Sequence, residues 1–151
     1  MQLTQFTDYS LRLLLYLSAH PDRLVPVEEV SRAYGVSRHH LVKVVQQLVD
    51  QQLVASTRGR GGGLRLNRAP ADINIGALVR QTEPHLDLVE CFNSRTNTCP
   101  IDRACGLKHV LGDAQRAFLD VLDRSVLADF LPRAPELIKL WTRHQRRAAT
   151  P

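Results

Sequence analysis

The chain has 151 residues, 44% of them hydrophobic and 23% charged, the proportions of a globular protein rather than a disordered or fibrous one. Its net charge of +5 and pI near 9.6 fit an acidic partner such as nucleic acid. Residues 1–70 carry nine Lys/Arg against five Asp/Glu, residues 71–130 six against nine, and residues 131–151 five against one, so positive charge collects at the two ends.

The apolar residues Leu11, Leu14, Leu15 and Leu17 recur at helical spacing and predict a first helix over residues 6–19, with Thr7 or Asp8 placed to cap it and Pro21 beyond its end. Asp8 and Arg12 interrupt that run, which is also far short of the roughly 20 residues a membrane span needs, so no membrane association and a cytoplasmic location are expected. A short second helix follows Pro26 over residues 27–34, its acidic first turn matching the helix dipole, and Gly35 breaks it. Ser37 then caps a third helix reaching about residue 52, with Leu41, Val44, Val45 and Leu48 as the inward stripe. Two helices joined at a glycine turn, the second with a basic and amide-rich outer face, form a helix-turn-helix.

Residues 53–57 and 64–67 read as two short strands around Arg58-Gly59-Arg60-Gly61-Gly62-Gly63, a wing. This loop has neither a Walker lysine nor a surrounding βαβ unit, which argues against a nucleotide cradle. Arg58, Arg60 and Arg65 instead suit an arm laid along a groove, where glycines let backbone approach phosphates. On the third helix, Ser37, Arg38, His39, His40, Lys43 and Gln47 are the candidates for DNA contact, since Arg suits guanine, Gln adenine, and Lys guanine or phosphate. Two copies would read a palindromic operator with half-sites about one helical turn, ~34 Å, apart.

A fourth helix is predicted over residues 71–81. Beyond it, Leu107, Val110, Leu111, Ala114, Ala117, Phe118, Val121 and Leu122 fall three and four apart. This long stripe is read as the seam of a homodimer rather than a private core. Residues 125–131 could form one more helix before Pro132, and a basic tail is expected to fray from Arg143. The expected fold is therefore mainly α with a small β wing. Residues 1–70 make a winged helix-turn-helix domain, residues 71–131 carry a cysteine loop and the dimerisation helix, and residues 132–151 form a basic C-terminal tail.

All three cysteines, Cys91, Cys99 and Cys105, lie in that loop. An odd count in a chain without an export signal points to a metal or redox centre rather than a disulfide framework. Soft thiolates suit an iron-sulfur cluster, zinc or copper(I). The wide spacing favours a cluster over the tight pairs of structural zinc sites, with zinc and a bare thiol switch as alternatives. A fourth ligand would come from Asp8, His85, Asp87, Asp102 or His109. No Ser/His/Asp or Cys/His constellation at motif spacing suggests catalysis, so the chain is not expected to be an enzyme.

The opening Met1-Gln-Leu-Thr-Gln-Phe-Thr-Asp8-Tyr-Ser-Leu-Arg12, the segment Tyr34-Gly-Val-Ser-Arg-His-His-Leu-Val-Lys43, the wing and the three-cysteine loop, in order over about residues 1–130, resemble the nitric-oxide-sensing repressors of the IscR-type winged-helix family. The resemblance implies a homodimeric DNA-binding repressor with one iron-sulfur cluster per protomer, 4Fe-4S in preference to 2Fe-2S. It places the ligands at Cys91, Cys99, Cys105 and, from the partner protomer, Asp8. In the sister iron-sulfur regulator the fourth ligand is a histidine three residues after the last cysteine. Here that place is Lys108 and the histidine falls at His109, which favours Asp8. Nitric oxide is the implied signal, releasing the operator; a redox or cluster-status regulator of the same fold, or a zinc or thiol regulator indifferent to nitric oxide, is the alternative.

Overall fold

The computed structural model describes residues 2–148; Met1 and residues 149–151, the last of the expected tail, lie outside it. Helix α1 (Gln5–Ser18) begins earlier than expected because Thr4, in extended backbone, accepts the Thr7 amide on its side chain at 3.3 Å. Neither Thr7 nor Asp8 is the cap. Thr7 is buried, and its hydroxyl donates to Thr82 at 2.9 Å.

Helix α2 (Val27–Tyr34) ends at Gly35, whose φ of 64° is the left-handed conformation that a β-carbon disfavours. Ser37 holds the cap position of α3 (Arg38–Asp50), but its hydroxyl makes no capping bond. Leu13, Leu14 and Leu17 of α1 pack with Val30 of α2 and with Leu41, Val44 and Leu48 of α3, all buried. At about 2 kcal/mol per fully buried aliphatic side chain, this knot holds the helix-turn-helix together.

Strands β1 (Val54–Thr57) and β2 (Gly63–Leu66) pair antiparallel, Val54 opposite Leu66 and Thr57 opposite Gly63. A β-carbon on Gly62 would stand 2.2 Å from the Thr57 carbonyl oxygen, so the turn closes only around glycine there. Val25, between α1 and α2, exchanges backbone hydrogen bonds of 2.9 and 2.8 Å with Leu64, which fixes the wing to the helices.

Pro70–Asp72 form a single 3-10 turn, and helix α4 (Ile75–Thr82) starts only at Asn74, whose side chain accepts the Ala77 amide at 2.9 Å. This is a correction to the expected start at residue 71. Helix α4 brackets two units. Its Thr82 and the following Glu83 bond to Thr7 of α1 and to the cap residue Thr4, and its Arg80 clasps Asp123 at 2.5 and 2.7 Å. Asp123 closes helix α5 (Gly106–Asp123).

The segment expected as a helix over residues 125–131 is a run of 3-10 turns, Leu127–Arg133, in which Pro132 withholds an amide donor. The basic tail expected to fray from Arg143 is instead the second half of helix α6 (Ala134–Ala148). Pro135 and Glu136 suit its first turn and Arg146 and Arg147 its last. Its Trp141 is buried against Tyr16 of α1 at 4.7 Å and Tyr34 of α2 at 5.6 Å between ring centroids. Burial pushes the Tyr16 phenol up to about 12, helped by the hydrogen bond it donates to Glu29 at 2.8 Å.

Candidate functional site

The turn at Gly35 aims the start of α3 outward, and Ser37, Arg38, His39, His40 and Lys43 are all exposed there. Arg38 pairs with Glu28 of α2. Glu28 is held below the ordinary carboxylate range by its own backbone amide first and by Arg38 second. That pair is solvent-exposed and weak, so the guanidinium can exchange it for a base edge or phosphate. His40 stacks toward Tyr9 of α1 at 6.4 Å, and the His39 ring tilts against His40 at 6.1 Å. Gln47 is half-buried and donates its amide to the Gln81 carbonyl at 3.2 Å, which ties α3 to the end of α4. Arg58, Arg60 and Arg65 stand exposed on the wing.

The cysteine loop is held by its own polar side chains. Glu90 accepts both the amide and the hydroxyl of Thr98 at 2.5 and 2.6 Å, Asn97 accepts the Cys99 amide at 3.0 Å, and Asn93 accepts the Arg95 amide at 3.1 Å. All three cysteines are free and half-buried. Cys105 is the cap residue of α5, so its sulfur lies at the positive end of a helix. Lys108, one turn into α5, bonds to Asp102 at 2.5 Å. Its ammonium is held above the ordinary value chiefly by Asp102, with Cys91 and Cys105 adding to the effect. The Lys108 charge thus interacts favourably with two of the three cysteines, Cys91 and Cys105.

Asp8 lies elsewhere. It projects from the first half of α1 and accepts from Arg12, one turn on, in a two-pronged pair of 2.8 Å contacts. The Arg12 guanidinium also sits 5.6 Å from the Tyr34 ring and 6.0 Å from the Tyr9 ring. Among the described residues, no group of three or more His, Cys, Asp and Glu gathers closely enough to hold a metal ion within one chain. His85 and His109 are exposed, and Asp102 is taken by Lys108. Lys108, as part of the thiol environment, and Arg12, as the partner of Asp8, are not among the residues singled out by motif spacing. The Asp8 to Arg12 spacing of four carried that second signal.

Helix α5 has no buried residue in this chain. Its stripe divides into two faces. Leu111, Phe118 and Leu122 are half-buried toward their own chain, whereas Leu107, Val110, Ala114, Ala117 and Val121 are exposed at alternating spacings of three and four.

A helix-turn-helix with a cationic outer face and a basic glycine wing defines a DNA-binding transcriptional regulator of the winged-helix class. The chain belongs to the Rrf2 family, described as an iron-dependent transcriptional regulator, whose model matches residues 3–133. It is 51% identical to the HTH-type transcriptional regulator NsrR of Halalkalibacterium halodurans over 91% of this chain and 94% of that one. It is 45% identical to the regulator of the same name from Bacillus subtilis, over 93% and 97% of the two chains. Among solved structures, IscR of T. potens superimposes with a TM-score of 0.70 at 25% identity, over 89% of this chain and 88% of that one. Among the described residues, no helix is long and apolar enough to cross a membrane.

Proposed function

We propose that the protein is a homodimeric repressor that senses nitric oxide through an iron-sulfur cluster, 4Fe-4S in preference to 2Fe-2S, and then leaves a palindromic operator. The observation that carries this reading is the loop itself: three free, half-buried thiols, with Lys108 coupled electrostatically to Cys91 and Cys105 and with Cys105 at the N-terminus of α5. A soft sulfur donor set of this kind fits an iron-sulfur cluster. Cys91, Cys99 and Cys105 would hold it, with Asp8 of the partner subunit as the fourth ligand. When bound, the cluster supplies an iron held by a hard carboxylate among soft thiolates, the position open to a small ligand such as nitric oxide.

The remaining work falls to the chain. Residues 1–70 bind DNA and residues 71–131 sense and dimerise. The exposed stripe of α5 supports the dimer, since five apolar residues at heptad spacing stay exposed among the described residues of their own chain. Asp8 sits on the helix that carries the helix-turn-helix core, so its engagement with the partner's loop restrains both DNA-binding units. Arg12 stands ready to take the carboxylate when that restraint is lost. Moving a dimer from 99:1 to 1:99 in favour of release takes about 5.5 kcal/mol, shared between two such sites.

The test is anaerobic: intact-dimer mass, iron and sulfide content, then DNA binding before and after a nitric oxide donor. One cluster per protomer and at least tenfold weaker binding after the donor are expected. A dimer that carries stoichiometric zinc, or one that holds its DNA unchanged after the donor, would overturn the reading. An Asp8→Ala dimer that binds and releases DNA like the wild type would remove Asp8 from it.

A further inference from the structure

We propose that α6 is a third DNA-contacting element, in which Arg143 and Arg147 neutralise the sugar-phosphate backbone flanking the groove that α3 enters. The proposal rests on the DNA-binding reading above and adds to it a surface outside the helix-turn-helix and wing.

Trp141 sets the geometry. Buried against Tyr16 and Tyr34, it fixes the rotation of α6, and Gln145 on the same face donates to the Glu29 carbonyl of α2 at 3.4 Å. His144 reaches the turn between α2 and α3, where its Nε2 lies 3.2 Å from the point a β-carbon on Gly35 would occupy. The last turn of α6 is therefore seated beside the turn that presents the recognition helix. Arg147, three residues after His144, continues along that flank, and Arg143 lies next to it, facing away from Trp141. Both are exposed.

In a helix-turn-helix, the first of the two helices crosses the DNA backbone while the second enters the major groove. Helix α6 packs on that first helix, α2. An element in this place overhangs the strand that α2 crosses. Its charge is the right one: residues 131–151 carry five Lys/Arg and a single acid, Glu136, at the opposite end of the helix. Among the described residues neither Arg143 nor Arg147 has an ion-pair partner, a condition they share with Arg58, Arg60 and Arg65 on the wing. Phosphate oxygens are the complement to guanidinium groups so arranged.

The experiment is a salt titration of binding by fluorescence anisotropy, with the full chain, using a 40-base-pair duplex of random sequence and an operator selected from a random library. Each neutralised phosphate adds ~0.9 to the slope of log affinity against log salt, so losing two arginines from each of two protomers should lower the slope by up to ~3.6. The Arg143→Ala/Arg147→Ala variant should weaken both duplexes by the same factor, roughly tenfold or more at low salt, because backbone contacts carry no sequence information. The Arg143→Lys/Arg147→Lys variant should keep most of the slope. An unchanged slope in a folded alanine variant would overturn the proposal. A second measurement, independent of the variants, is a hydroxyl-radical footprint of the wild type: protection should extend past the outer edge of each major-groove half-site, and protection that stops at that edge would also overturn it. If the wild type bound neither duplex in a salt-dependent way, the DNA-binding reading itself would fail.

Discussion

Replacing Trp141 with alanine tests whether the C-terminal segment is a docked helix. The indole is 8% exposed and packs within 4.7 Å of Tyr16, 5.6 Å of Tyr34 and 6.1 Å of His20, centroid to centroid. Removing a buried tryptophan costs about 3–5 kcal/mol, of which aromatic pairing accounts for about 0.5–1.5 kcal/mol per pair. Because the ring lies at the edge of the core, the lower end applies, about 3 kcal/mol. In a chain of this length that corresponds to a fall of roughly 6–12 °C in the melting midpoint. Trp141→Phe should recover about half of it. Hydrogen exchange should locate the change, with the α6 amides losing protection before those of α3. The chain has one tryptophan, so its fluorescence reports this site alone: blue-shifted in the wild type and red-shifted on unfolding. A Trp141→Ala protein that melted within 1 °C of wild type with unchanged α6 protection would refute the docking.

Val110→Asp places a charge in the exposed stripe of α5 and should convert the proposed dimer to monomer in light scattering with the helix content unchanged; a variant that stays dimeric would move the seam elsewhere. Gly62→Ala drives a β-carbon against the Thr57 carbonyl and should weaken DNA binding several-fold through a distorted wing, with melting shifted by only a few degrees because the turn is exposed. Glu29 is held below the ordinary carboxylate range chiefly by the Arg23 side chain and then by the Tyr16 hydroxyl. A depressed folded-state value means that its contribution is full above the unfolded value of ~4.3 and is lost as pH falls through the lower folded value. Glu29→Gln should therefore be less stable than wild type at neutral pH, with the gap closing in acid denaturation below about pH 4; a gap independent of pH would mean the charge is irrelevant.

Much of this molecule is legible along the chain because the governing physics is local. The period of 3.6 in Leu11, Leu14 and Leu15 or in Leu41, Val44 and Leu48 dictates helices wherever they later pack. A left-handed residue at Gly35 requires only the absence of a β-carbon, and the softness of three thiolates is a property of sulfur. Hence the helix-turn-helix, the wing and the cysteine loop stand in the amino-acid order itself. Even the Asp8 to Arg12 pair follows from helical spacing.

What tertiary structure decided is which surfaces are already spent. Helix α6 exists as a docked element because Tyr16 and Tyr34, more than a hundred residues earlier, offer Trp141 an apolar face; by itself the segment is a short basic helix that would be marginal in water. The apolar stripe of α5 is uniform in sequence, yet folding commits Leu111, Phe118 and Leu122 inward and leaves Leu107, Val110 and Val121 exposed. Gln47, a candidate base-contacting amide, also donates to the Gln81 carbonyl once the end of α4 packs beside it. Local patterning states what a residue can do; only the arrival of distant chain determines whether that capacity is consumed in the core or left free for DNA, a metal centre or a second copy.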